Sequence, residues 1–221
     1  MGYTFNWPIV FTYLPQFAQG VLLGLGITIV SLAIGSVIGL AAAGLSQTRW
    51  RPARIVVRGY VEVMRNVPIL LWAYLVYYGL PQLGIGFLDN LSSFVLALSL
   101  YGGAYLTEIF RAGLAAIPHR YGEAAMAMGL QRAQRLRLVT LPLMFRIVLP
   151  SLSNTFIGLF KDTAVAAALA VHEVTFVAQR VNQDTFRVIE AWTIAAIVYL
   201  VVGYLLAIAL RRVERRLQVV R

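Results

Sequence analysis

The stretch IVLPSLSNTFIGLFKDTAVAAALAV, Ile147 to Val171, carries no charge except Lys161 and Asp162 at its centre. Whether it crosses a bilayer decides the fold. A bilayer is the natural solvent for the rest of the chain: 60% of its 221 residues are hydrophobic, 13% are charged, and the mean hydropathy is +0.76. Those values lie far outside the range of soluble domains.

Four other segments read as spans. No charge occurs from Met1 to Thr48, and Gly20 to Leu45 is long enough to cross roughly 30 Å of hydrocarbon at about 1.5 Å per residue. A charge-free run from Asn66 to Leu88 follows, extended backwards by RIVVRGYVEVM, then one from Asn90 to Thr107, and finally Ala191 to Leu210, which ends in RRVERR. The arginines settle the fifth. Arg49, Arg51, Arg54, Arg58 and Arg65 follow the first span; Arg111, Arg120, Arg132, Arg135, Arg137 and Arg146 follow the third; Arg211, Arg212, Arg215, Arg216 and Arg221 follow the last. If Ile147 to Val171 crosses, all three clusters share the cytoplasmic side, as the positive-inside rule prefers. The other side then keeps Arg180 and Arg187 against Asp89, Glu173, Asp184 and Glu190.

The expected fold is therefore all-α and integral to the membrane. Its five spans fall at about residues 20–45, 56–80, 88–111, 147–171 and 190–210, with the N-terminus outside and the C-terminus cytoplasmic. Residues 1–19, with Trp7, Tyr13 and two prolines, read as an interfacial lead-in. Residues 20–212 form one transmembrane domain with a cytoplasmic loop at 113–145, and 213–221 a basic tail. No soluble domain or internal repeat is expected. The N-terminus lacks the charged region and cleavage site of a secretory signal, so the first span should stay in the mature protein. Gly35 with Gly39, and Gly102 with Gly103, mark packing faces in the first and third spans.

Composition also excludes functions. The net charge of +10 comes from arginines at span ends, with no basic stripe of interleaved stacking aromatics, so nucleic acid is not the partner. With no cysteine there is no disulfide, thiolate metal site or cysteine nucleophile. HEVTF at His172 begins like a zinc-protease motif but has Phe176 where the second histidine belongs, and no G-x-S-x-G turn exists. Neither a catalytic site nor a metal site is expected. A pore-forming channel stays open as an alternative, because charges inside a span also line pores.

The loop at 113–145 is not a linker. In YGEAAMAMGL, Tyr121 to Leu130, Pro118 precedes and can start a helix, Glu123 falls in its first turn, and Gly129 supplies a left-handed cap. The alanines leave about two turns with almost no side-chain bulk, so another protein could close against the backbone. The arginine-rich QRAQRLRL that follows should lie along the membrane surface.

Glu123-Ala124-Ala125, three residues, Gly129, nine residues, Val139, one residue and Leu141-Pro142 resemble the EAA loop of ABC importer permeases. YVEVMRNVPILL (60–71), GAYLTEIFRAGLAAIP (103–118), LPLMFRIVLPSLSNTFIGLFKDTAV (141–165) and HEV (172–174) are similar to the polar amino-acid branch, of the His/Glu/Gln/Arg type. The resemblance implies a type I importer of the bacterial inner membrane. Two permease subunits, identical or homologous, form the pathway; two ATPase subunits hold ATP-Mg; an extracytoplasmic binding protein delivers the amino acid. This chain would bind no cofactor and hydrolyse nothing. Glu123, Ala124, Ala125 and Gly129 would dock the ATPase. The branch usually has Gly-Gln before the glutamate where this chain has Arg120-Tyr121, so either the contact is tuned differently or the chain is half of a heterodimer.

Three further sets are candidates. Lys161, Asp162 and Thr163 lie deep in a span, where each charge costs at least about 2.5–3.5 kcal/mol, so they line the substrate pathway or form a structural network that holds spans or breaks the helix. Tyr105 and Glu108 share a face of the third span, and Glu108 either pairs with Arg111 or faces the pathway. Glu62 and Arg65, three apart on one helical face, form a gate or simply pair with each other.

Overall fold

The computed structural model describes residues 3–217, and those residues are helical with no strand. A short helix α1 (Trp7–Phe11) leads into α2 (Leu14–Ser46), followed by α3 (Arg51–Asn66), α4 (Ile69–Tyr74), a π-turn at Leu75–Gly79 and α5 (Leu80–Gln82). Then come α6 (Asn90–Ala115), α7 (His119–Ala127), α8 (Arg132–Arg135), a π-turn at Leu136–Thr140 and α9 (Leu141–Asp162). A 3₁₀ segment at Thr163–Leu169, α10 (Val174–Thr185) and α11 (Val188–Leu217) complete the chain. Arg221 and the rest of 218–221 lie outside the described residues.

Among the described residues four helical stretches, not five, are long and apolar enough to cross a membrane: Leu14–Ser46, Asn90–Ala115, Arg132–Leu169 and Val188–Arg216. The segment at the centre of the topology argument, Ile147 to Val171, falls almost wholly inside the third. The stretch expected as a span at 56–80 is instead broken. Val67, forced toward extended backbone by the proline after it, has φ −107° and ψ 132°, so α3 ends at Asn66 and α4 starts after Pro68. Charge patterning does not register this break, because the uncharged run from Asn66 to Leu88 passes straight through Val67 and Pro68.

The centre of the bundle is the α2–α6 pair. Built on Gly39, a Cβ would sit 2.8 Å from the Leu106 Cβ; on Gly35, 3.1 Å from the backbone of Ser99 and Gly103. The two glycines thus let helix backbones approach directly, as the spacing indicated. Gly102 and Gly103 instead make room for side chains, Leu159 of α9 and the Tyr60 hydroxyl of α3. Phe94, Leu98, Leu106 and Phe110 of α6 are fully buried, between α2 on one side and α9 on the other. A second core joins Val10 and Phe17 of the lead-in to α10 and α11.

Asp89 caps α6 by accepting the Ser92 amide at 2.8 Å, which holds its carboxyl below the usual carboxylate range. The lead-in is tied to α11: buried Glu190 accepts from the Asn6 amide at 2.8 Å and from the Tyr3 hydroxyl, and Arg187 donates to the Thr4 carbonyl.

Candidate functional site

The loop after α6 folds as the short helix its sequence promised, with one correction. α7 runs His119–Ala127, entered through Pro118 with φ −60° and ψ 137°. Its end is a full Schellman motif: Gly129 has φ +74°, its N–H donates to the Met126 carbonyl at 2.9 Å, and the Leu130 N–H donates to the Ala125 carbonyl at 3.0 Å. Glu123 lies in the second turn rather than the first, so the helix dipole is not what places a carboxylate there. The side chain is fully turned to solvent, beside exposed Ala124, Met126 and Met128. Ala125 faces the other way and is completely buried against the chain's own body. Of the four residues expected to dock a partner, Glu123, Ala124 and Gly129 are outward and Ala125 is the foot on which the helix stands.

QRAQRLRL forms the first turns of the helix that continues into α9, started by a capping box of Gln131 and Gln134. A π-turn at Leu136–Thr140 and Pro142 follow, so α7 is joined to a spanning helix through a short, irregular elbow.

Two interruptions of helix lie within the bundle. One is the Val67–Pro68 break, with Arg65 and Asn66 on its α3 side. The other is at Asp162, where α9 tightens into the 3₁₀ segment; Thr163 caps α9 and its hydroxyl donates to the Phe160 carbonyl at 2.6 Å. Tyr101 and Tyr105, near the middle of α6, lie between them with their hydroxyls 3.1 Å apart. Lys161 is exposed and Asp162 half-buried. Neither joins an ion pair among the described residues, which hold two: Arg111–Glu108 at 2.5 Å and Arg180–Asp184 at 3.8 Å. Glu108 therefore pairs with Arg111, one of its two expected fates.

Glu62 and Arg65 do not pair with each other. The Glu62 carboxylate accepts from the Asn66 amide at 3.3 Å, while the Arg65 guanidinium lies 5.0 Å from the centroid of the Tyr105 ring. Glu62, Arg65, Asn66 and Tyr105, with Val61, line a cavity of about 240 Å³.

The sequence reading missed Glu173. It is fully buried, and its carboxylate accepts from the Thr175 amide at 2.8 Å, the Phe176 amide at 2.8 Å and the Tyr199 hydroxyl at 2.6 Å. It caps α10, binds it to α11 and lies just after the 3₁₀ segment that begins at the Asp162 interruption. Burial pushes the Glu173 carboxyl above its usual range, opposed by those three donors. Gly20 of α2 closes the site from behind, since a Cβ there would stand 2.9 Å from the Glu173 carbonyl carbon. The one signal was a lone carboxylate close after an apolar run, where an ionisable group needs partners.

A helical membrane bundle that holds out a short capped helix and keeps ionisable groups at two helix interruptions is built as a transport subunit. The chain belongs to the family described as "Binding-protein-dependent transport system inner membrane component", which it matches over residues 35–219. It is a multi-pass inner-membrane protein. It is similar to the glutamine transport system permease protein GlnP of Escherichia coli (strain K12), with 34% identity covering 97% of this chain and 99% of that one. It is also similar to the L-cystine transport system permease protein TcyB of Bacillus subtilis (strain 168), with 32% identity covering 98% and 93%. A solved structure, a crystal structure of an amino acid ABC transporter with histidines, superposes with a TM-score of 0.88 at 31% identity, covering 97% of this chain and 100% of that one.

Proposed function

We propose that this chain is the permease subunit of an ATP-driven type I importer for an amino acid, forming half of the translocation pathway. The observation that carries the coupling part is α7: a helix of 9 residues standing on buried Ala125 and presenting Glu123 and bare backbone outward. Such a face suits a cleft on an ATPase. ATP-Mg belongs to that ATPase, which closes on nucleotide and brings two docked helices together, and the elbow at 136–142 passes the movement into α9. The partners are an ATPase dimer, a second permease subunit and an extracytoplasmic amino-acid-binding protein. A relative handling glutamine and another handling L-cystine support the amino-acid reading, and their difference leaves the side chain open. The runner-up is an importer for another small polar solute. Assembling the complex and measuring ATPase stimulation by binding protein loaded with each amino acid separates the two.

The broken segment of α3 to α5 crosses as a fifth, discontinuous span in this reading, which keeps the arginine clusters together on the cytoplasmic side. Non-helical backbone at that depth is tolerated where it is buried in protein or lines a water-filled cavity. Single cysteines placed in this cysteine-free chain at Asp89 and Asp184 should react with an impermeant maleimide in intact cells, while those at Thr48 and Gln131 react only after permeabilisation. Labelling of position 131 from outside overturns the topology.

Lys161, Asp162 and Thr163 mark the pathway, with Asp162 the acceptor for a substrate ammonium. Asp162→Asn removes the charge but keeps the shape. Basal ATPase activity of the assembled complex should persist, while uptake falls about tenfold or more, the loss of one hydrogen bond to a charged group. An unchanged uptake profile and affinity would make the residue structural.

A further inference from the structure

We propose that Arg65 is the anchor for the carboxylate of the transported amino acid, held in the cavity between α3 and α6. The inference rests on the importer reading and assigns a residue within it. Arg65 sits in the last turn of α3, where its charge complements the helix dipole. That role leaves the guanidinium free to point anywhere. It points instead over the Tyr105 ring of another helix, 5.0 Å from its centroid. The ring face attracts the guanidinium without using its N–H donors. Among the described residues Arg65 makes no hydrogen bond or ion pair, although Glu62 is one turn away on the same helix. Glu62 is turned to Asn66, whose amide also donates to the Glu62 carbonyl at 2.7 Å. A carboxylate entering the cavity therefore meets a prepared fork of donors, the geometry that binds it bidentately.

The charges around that fork select a zwitterion. Glu62 lines the same cavity. Tyr105, on the cavity wall, holds the Tyr101 hydroxyl at 3.1 Å. With Glu62 on the same wall, the guanidinium disfavours a simple dianion such as phosphate or sulfate, which would bring no compensating cation. An amino acid brings its own ammonium. The cavity of about 240 Å³ has room for several waters at about 30 Å³ each, hence for the small charged head of such a solute. It lies beside the Val67–Pro68 interruption, and in transport folds discontinuous helices mark the place where substrate is held.

The test uses the purified permease–ATPase complex in lipid nanodiscs without binding protein. It is dialysed to equilibrium against each common amino acid in radiolabelled form, then against the α-carboxamide of the best-bound one. Wild type should prefer the acid over the carboxamide by about 10- to 100-fold. Arg65→Gln should bind the acid weakly and lose the preference, and Arg65→Lys should fall between, because a point charge cannot make the fork. A full preference retained in Arg65→Gln overturns the assignment. If that variant does not assemble, Arg65→Lys decides, and an undiminished preference overturns it likewise. A complete importer that takes up an amino acid while its permease–ATPase complex retains none also overturns it. If no amino acid is either taken up or bound, the amino-acid reading itself fails, an outcome distinct from the loss of Arg65 alone.

Discussion

Glu123→Lys is expected to abolish uptake while the permease still folds and inserts. The side chain is exposed in the second turn of α7 and makes no hydrogen bond or ion pair among the described residues. Its replacement should cost the chain nothing measurable in stability. The cost falls on docking: reversing one partner of a charge pair enclosed by an interface removes about 2–5 kcal/mol, which lowers ATPase affinity by at least about 30-fold. Gly129→Val should reach a similar end by another route. No atom lies within 4 Å of a Cβ built there, so space is not the obstacle. The obstacle is φ +74°, which a β-branched residue adopts at a cost of about 1–3 kcal/mol, enough to unwind the cap and lose the register of Glu123. Both variants are checked by copurification of the ATPase and by uptake. Normal yield of ATPase with Glu123→Lys and normal uptake would remove α7 from the coupling path. Ala125→Leu offers a contrast, because that side chain is buried within the chain and the variant should damage insertion and yield rather than docking alone.

Which of these features the sequence carried depended on their physical origin. Hydrophobic length located the spans formed by α2, α6, α9 and α11, since bilayer thickness imposes it directly. Glycine spacing located the α2–α6 contact, because only a missing Cβ permits that approach. Local capping rules located α7 and its Schellman end. Three things were not readable. Hydropathy cannot see the Val67–Pro68 break, for which Pro68 alone was the signal. The pairing of Glu62 and Arg65 follows from i,i+3 spacing only if nothing better is near, and here the Tyr105 ring and the Asn66 amide are each better placed. Glu173 takes the nearby Thr175 and Phe176 amides, but its third partner, Tyr199, and the partners of Glu190, Tyr3 and Asn6, are distant in sequence, so no local pattern announces those.

Glu173→Ala is the substitution expected to do most damage inside the chain. It strands the Thr175 and Phe176 amides, at about 1–3 kcal/mol for each, leaves the Tyr199 hydroxyl with only the Thr175 hydroxyl at 3.2 Å, and opens a void against Gly20. The loss frees the start of α10 from α11 and with it the 3₁₀ segment, so the interruption at Asp162 loses its fixed position. Thermal unfolding of the purified complex should shift down strongly, and uptake should vanish with it. Glu173→Gln separates the roles of shape and charge. It still accepts hydrogen bonds through its carbonyl oxygen, so it should unfold nearer to wild type than the alanine variant. It also removes a titration. Because burial raises the Glu173 carboxyl above its usual range, the folded chain holds a proton there at pH values where the unfolded chain has released it. That contribution is complete below the unfolded-state value and is lost as pH rises through the folded-state value. Wild type should thus lose stability on alkalinisation just above the ordinary carboxylate range, and Glu173→Gln should lose less. Unfolding midpoints of the two complexes measured across that range decide the matter. Parallel curves would mean that the three donors hold Glu173 ionised throughout, leaving it a fixed charge that clamps α10 to α11.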